Sequence, residues 1–197
     1  MIKIKKRLQK LKNLNELFTP CLILDENKFS KNIERLKSIV EQKNINFRPH
    51  LKTAKCIEIT KRFSEVFGKR AVVSTIEEIE KLKHCGINDF LYSVAIVPNK
   101  FDRIAQCLSE DCKISVLVDD ISIARKLVDF YKKTGLKIKA LIELDLDGHR
   151  SGVKSNSREQ LYQIGKCLDN EGLFRGVMSH AGESYNLSNR KDLRECA

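Results

Sequence analysis

A chain of 197 residues, 42% hydrophobic with three Pro and nine Gly, is long enough for one sizeable core, which excludes a disordered or fibrous chain. Lys and Arg number 37 against 26 Asp and Glu, a net charge of +11, but six of the cations (Lys3, Lys5, Lys6, Arg7, Lys10, Lys12) lie in the first twelve positions and the other 185 residues carry only +5. No stretch approaches the roughly 18 uninterrupted apolar residues of a membrane span, and no apolar core of a secretory signal follows the basic start. The seven Cys show neither CxxC nor zinc-type spacing, so reduced thiols in a cytoplasmic protein are expected.

In chain order, Ile4, Leu8, Leu11 and Leu14 recur at helical spacing and predict a basic amphipathic helix over residues 1–17. A solvated terminal helix is favoured for this charge over contact with an anionic surface or RNA, and the aromatics do not interleave with basic residues as a single-strand nucleic-acid binder requires. From residue 18 onward, short apolar runs at 19–24, 45–51, 71–74, 90–94, 114–118, 138–144 and 174–179 alternate with longer amphipathic stretches. Those stretches, near 26–43, 55–67, 76–85, 98–109, 120–134 and 157–170, read as helices. Asp119 or Asp120 and Ser157 stand at N-cap positions, and Gly86 stands as a stop. Strand–helix alternation of this kind predicts a parallel sheet or barrel without a second domain.

In such a barrel the working residues sit at the C-terminal ends of strands. Three ends carry chemistry. Around residues 45–53, Ile45, Phe47 and Leu51 alternate with Arg48, His50 and Lys52, so three basic groups share one face. If that face is interior, the cluster implies a bound anion, paired carboxylates, or a lysine kept neutral for nucleophilic work. A short surface strand with solvated basic residues accounts for the same alternation. Around 138–153, Leu141, Glu143 and Asp145 share a face on which the carboxylates would counter the cationic strand, structural pairing being favoured over direct chemistry. There Gly148 and Gly152 bracket His149 and Arg150 in a tight connection suited to aiming a guanidinium at an anionic oxygen. Around 176–185, His180 ends a strand and Tyr185 follows a Gly-containing turn.

These segments resemble those of a known family. Arg48-Pro49-His50-Leu51-Lys52-Thr53 is similar to the RPHxKT signature of D-threonine aldolases and eukaryotic-type D-serine dehydratases, fold-type III pyridoxal-phosphate enzymes with an alanine-racemase-like N-terminal barrel. Asp147-Gly148-His149-Arg150-Ser151-Gly152-Val153 resembles their DGHRxGV segment, and Ser179-His180-Ala181-Gly182-Glu183-Ser184-Tyr185 their THAGxSY segment. Thr19-Pro20-Cys21-Leu22-Ile23-Leu24-Asp25 and Leu91-Tyr92-Ser93-Val94-Ala95-Ile96-Val97-Pro98 add two further matches in the right order. Ala54 departs from the pattern, standing where many relatives carry His.

The resemblance implies a pyridoxal-phosphate-dependent lyase acting on a small D-amino acid, with an amino-acid racemase or a non-catalytic homeostasis protein as alternatives. It implies that Lys52 forms the Schiff base in a desolvated, cation-rich pocket, with His50 and Arg48 along the same wall. It further implies that Arg150 bonds the cofactor's phenolate, that His180 stacks on the ring and that Tyr185 approaches the ring nitrogen. Relatives place the 19–24 strand in a second domain, hold the phosphate in a later Gly/Ser-rich loop, bind a divalent metal through a C-terminal β domain, and form homodimers. None of these later parts has a counterpart here. The expected fold is therefore α/β, an incomplete (β/α)8 barrel over residues 18–197 with about six barrel strands, truncated at its C-terminus, with no nucleic-acid or membrane partner.

Overall fold

The structure is a computed structural model and describes residues 13–109 and 111–196. The helix expected over 1–17 lies outside the described residues except at its end, where Leu14–Glu16 form a single 3-10 turn capped by Asn13. Helix α1 (Glu26–Gln42) starts where the Asp25 carboxylate accepts from the Lys28 amide at 2.9 Å. Then α2 (Ile57–Phe67), strand β1 (Arg70–Val73), α3 (Ile76–Lys83) and β2 (Asp89–Ala95) follow. The second half continues with α4 (Phe101–Cys107), β3 (Lys113–Val118), α5 (Ile121–Thr134), β4 (Lys139–Asp145), a two-residue β5 (Val153–Lys154), α6 (Arg158–Asp169), β6 (Phe174–Ser179) and α7 (Arg190–Cys196).

The strands form one six-stranded parallel sheet in the order β1-β2-β3-β4-β5, with β6 also paired to β4, and the sheet does not close into a barrel. Residues of alternating parity separate its two faces. Ala71, Val73, Phe90, Tyr92, Ile114, Val116, Ala140 and Ile142 face the helices and pack with Ile79, Ile104, Leu127, Ile164 and Leu168 in one buried cluster. The other face carries Asp89, Leu91, Ser93, Ser115, Leu117, Leu141 and Glu143. β6 pairs Phe174 with Ala140 but Gly176 with Leu141, so Arg175 is an extra residue bulged out of the ladder. Its guanidinium reaches across β4 to the Ser115 hydroxyl.

The helices stand within a few residues of their expected positions, and Asp120 caps α5 by accepting from the Ser122 amide at 2.7 Å. Ser157 precedes α6 without a side-chain cap bond. Two expected strands are not formed. Residues 19–24 lie in irregular backbone with Leu22 and Ile23 exposed. Residues 45–51 make only a bridge, His50 beside Val72, together with the Val72 N–H to Pro49 carbonyl bond at 2.8 Å and the Leu51 N–H to Val72 carbonyl bond at 3.2 Å. Pro49 has no N–H to continue a ladder. The sixth strand is therefore β5, and the lysine segment is an irregular seventh line along the β1 edge.

No helix among the described residues is long and apolar enough to cross a membrane, and all seven cysteines are free thiols. Ile79 is fully buried where α3 meets the sheet. Ile79→Ala is expected to remove about 2–5 kcal/mol of stability, the usual range for such a truncation, read from urea denaturation midpoints.

Candidate active site

Because every strand runs the same way, all C-terminal strand ends emerge on one rim of the sheet. Arg48, Pro49 and His50 climb alongside β1 toward that rim, and Lys52 follows in a turn closed by the Lys55 N–H to Leu51 carbonyl bond at 3.2 Å. The face assignment holds for the side chains. Phe47 packs edge-on against Phe67 of α2 at 4.9 Å, Leu51 lies against the main core, and Arg48 and His50 turn to the opposite face. Ile45 departs from its group and is exposed.

The three basic residues do not form one cationic wall. Arg48 pairs with Asp89 at 2.5 Å at the N-terminal end of β2, and both side chains are about three-quarters buried. This neutralises the guanidinium inside the sheet and removes it from the rim. His50 lies between the Ser74 and Ser93 hydroxyls, with Nε2 at 3.3 and 3.4 Å from their oxygens, and its Nδ1 accepts from the Lys52 amide at 3.3 Å. Burial holds the His50 imidazole below its ordinary value; the charges of Lys52 and His180 push it the same way, and Glu78 opposes them. Lys52 itself is exposed, not desolvated as expected, because the unclosed sheet places no wall over it. Clefts of about 470 Å³, behind the turn between α2 and α3, and about 590 Å³, below β3 and β4, both leave Lys52 out of their linings.

The second strand end turns its carboxylates on its own loop, not on the cationic segment. Asp145 accepts from the Gly148 amide at 2.9 Å, and Glu143 takes a hydrogen bond from Ser151. Burial pushes the Glu143 carboxyl up, the Ser151 bond opposes it, the charge of Asp119 adds to the rise, Arg150 lowers it and Asp145 raises it. One Glu143 oxygen is buried without a partner. Gly152 has φ +120°, and a Cβ there would stand 2.6 Å from the Asp145 amide nitrogen, so only glycine lets the loop fold back on β4.

Asp147 joins the second end to the third. Its carboxylate accepts from the Gly182 amide at 2.8 Å and the Glu183 amide at 3.2 Å. Gly182 also lies against Arg150 and His180, since a Cβ on it would sit 3.4 Å from Arg150 Cδ and 3.6 Å from His180 Cδ2. The His180 and Tyr185 rings meet edge-on with centroids 5.6 Å apart, and Tyr185 is 76% exposed. Arg150 and His180 thus meet at one glycine, Tyr185 joins them through its contact with His180, and His180 is near enough to His50 for its charge to be felt there. No group of three or more His, Cys, Asp or Glu side chains stands in metal-binding geometry among the described residues.

Sequence reading missed Ser74, Ser93, Glu78 and Asp147 as parts of the rim. The Thr75-x-x-Glu78 spacing was a legible capping box, and the structure forms it, Glu78 Oε2 accepting from the Ser74 and Thr75 amides at 2.8 and 3.2 Å. Ser74 and Ser93 carried no signal, because only the parallel register brings them to His50.

A six-stranded parallel sheet that does not close, flanked by helices and with basic and aromatic residues at its C-terminal rim, has the outline of part of an α/β barrel. The family model for the alanine racemase N-terminal domain matches residues 24–196, and the chain belongs to that family. Among its relatives, D-threo-3-hydroxyaspartate dehydratase from Delftia sp. (strain HT23) is 31% identical over 182 residues, covering 92% of this chain and 48% of the relative. Its solved structure superposes with a TM-score of 0.86 over the same shares. D-serine dehydratase from Dictyostelium discoideum is 27% identical, over 94% of this chain and 50% of the relative. The crystal structure of D-threonine aldolase from Filomicrobium marinum gives a TM-score of 0.83 at 27% identity, over 93% of this chain and 50% of that one. The chain spans about half the length of the curated relatives it matches.

Asp147→Ala leaves the Gly182 and Glu183 amides without their shared acceptor. Hydrogen bonds to a charged group are worth about 1.5–3 kcal/mol, so amide exchange at both residues is expected to quicken about tenfold or more while core amides of β3 are unchanged.

Proposed function

We propose that the chain forms the cofactor-attaching half of a pyridoxal 5'-phosphate-dependent lyase for small D-amino acids, of the D-threonine aldolase or D-serine dehydratase type. One observation carries the reading: Lys52 and His50, from the segment beside β1, and Arg150, His180 and Tyr185, from the ends of β4 and β6, lie along one rim. The donor set fits the group. An amine, a guanidinium and an imidazole suit a flat, anionic aromatic aldehyde, and the exposed Tyr185 ring supplies an apolar flank. The names of the relatives, dehydratases and aldolases of D-amino acids, support the same class.

When bound, pyridoxal phosphate supplies an electron sink for the substrate carbon. The remaining work falls to the chain. Lys52 would hold the cofactor through its amine, and the same amine would serve as a base on one side of the substrate carbon, which would give selectivity toward one enantiomer. Arg150, in the loop that Asp145 and Asp147 pin down, would bind an anionic oxygen of the group. His180 would hold the ring from one side, and Tyr185, in edge-on contact with His180, would supply a hydroxyl to it. A divalent metal, which the resemblance implies for longer relatives, finds no ligand group among the described residues. The free thiols are in keeping with a cytoplasmic setting.

Adding pyridoxal phosphate is expected to produce a visible absorption band of lysine-linked cofactor, and borohydride is expected to fix the label on the peptide containing Lys52. Lys52→Ala should abolish both. A wild-type protein with neither band nor label would sink the reading. Turnover of D-serine or D-threonine would separate a lyase from a protein that only stores cofactor.

A further inference from the structure

His50 stands one residue from the attachment lysine's neighbour, yet its hydrogen bonds run to backbone and hydroxyl groups. Two of its three bonds fix where the proton sits. The Ser93 hydroxyl donates to the Val73 carbonyl at 3.1 Å, so its oxygen is left to accept, and His50 Nε2 at 3.4 Å must carry the proton. On the other side of the ring, the Lys52 backbone N–H is a donor only, and Nδ1 at 3.3 Å must be bare. Both requirements are met by one species, the neutral imidazole with its proton on Nε2. An imidazolium would set an N–H against the N–H of Lys52.

The turn that this bond steadies is under backbone strain. Lys55 closes it in the left-handed region at φ +44°, which residues other than glycine seldom adopt. Glu78 supports it from α3, where the Lys55 ammonium stands 3.6 Å from Oε1 while Oε2 holds the Ser74 and Thr75 amides. The groups facing His50 are Lys52 on its own segment, Ser74 past β1, Ser93 on β2, Glu78 on α3 and His180 past β6. Two are cationic or can become so, two are neutral hydroxyls, and the one acid is engaged by two amides and by Lys55.

We propose that His50 is a positioning residue that, as the neutral Nε2–H imidazole, holds the Lys52 backbone in the turn, and that protonation of His50 releases it. The proposal rests on the reading of Lys52 as the attachment lysine, and it names what aims that lysine and what disarms it. The sign follows from the lowered His50 value. The hold is complete above the ordinary imidazole value of about 6.5 and is lost as pH falls through the lowered one.

The test uses the protein without cofactor, by nitrogen-resolved NMR across pH 4–8 on a scale set by the ordinary imidazole value of about 6.5. His50 is expected to show a bare Nδ1 and a protonated Nε2 at neutral pH. The Lys52 amide protection factor, which corrects for the intrinsic pH dependence of exchange, should fall about two- to tenfold in step with His50 protonation, the worth of one net hydrogen bond. His50→Asn, which keeps an acceptor near the Nδ1 position and cannot titrate, should retain the protection at every pH. His50→Leu should lack it throughout. A protonated Nδ1 in the neutral ring, or Lys52 protection indifferent to the His50 titration, would overturn the proposal, and the wild-type series decides even if the leucine variant does not fold. Cofactor attachment is read separately from the absorption band. A band without the protection change defeats the positioning role alone, and the protection change without a band defeats the cofactor reading alone.

Discussion

Two backbone hydrogen bonds, from Val72 N–H to the Pro49 carbonyl and from Leu51 N–H to the Val72 carbonyl, hang the lysine segment on the edge of the sheet. Everything at the rim depends on that attachment. It sets the parity by which Phe47 and Leu51 pack toward the helices while Arg48 and His50 face the other way. Shifted by one residue, the segment would bury its cations in the apolar layer and turn its rings to solvent. Pro49 makes the attachment brief, since it can accept but not donate, and the chain is free to turn sharply at Leu51 and present Lys52.

Charge on the interior face is handled by pairing at the bottom and by hydrogen bonding at the top. Arg48 and Asp89 neutralise each other near the N-terminal ends of the strands, where nothing reactive is needed. Near the C-terminal ends, Glu143, Asp145 and Asp147 are committed to Ser151 and to the amides of Gly148, Gly182 and Glu183. The acids therefore serve chiefly to shape loops, with Glu143 also feeling the charge of Arg150. Arg150 and Lys52 remain exposed there, the state in which an anionic ligand gains most from meeting them.

Much of this order was legible in the residues alone. Helical periodicity and the Asp120 cap located the helices, and apolar runs located β1, β2, β3, β4 and β6. The alternation of Ala140 and Ile142 with Leu141 and Glu143 sorted the faces of β4. The failures have physical causes. Residues 19–24 are as apolar as a strand, but no strand in the described chain offers them a ladder. A strand of two residues, such as β5, carries no period at all. Parity could assign Lys52 to a face but not say how much protein covers it, because cover comes from elements far away in sequence. The same holds for Ser74, Ser93 and Glu78, which matter through contacts that only the folded register creates.

The bulged residue in β6 works as a frame shift in the sheet. Before it, an even-numbered residue faces the helices, as Phe174 does opposite Ala140; after it, an even-numbered residue faces the interior, as Met178 does opposite Glu143. His180 inherits the second frame and so arrives on the side of His50. Were Arg175 taken into the ladder opposite Leu141, the odd-numbered Ser179 and Ala181 would own the rim and the imidazole would be aimed into the helical layer. Whether one residue ahead of Gly176 bulges out or joins the ladder therefore decides the chemistry of a strand end about 10 Å further on, at about 3.3 Å per residue, with the composition of the strand unchanged.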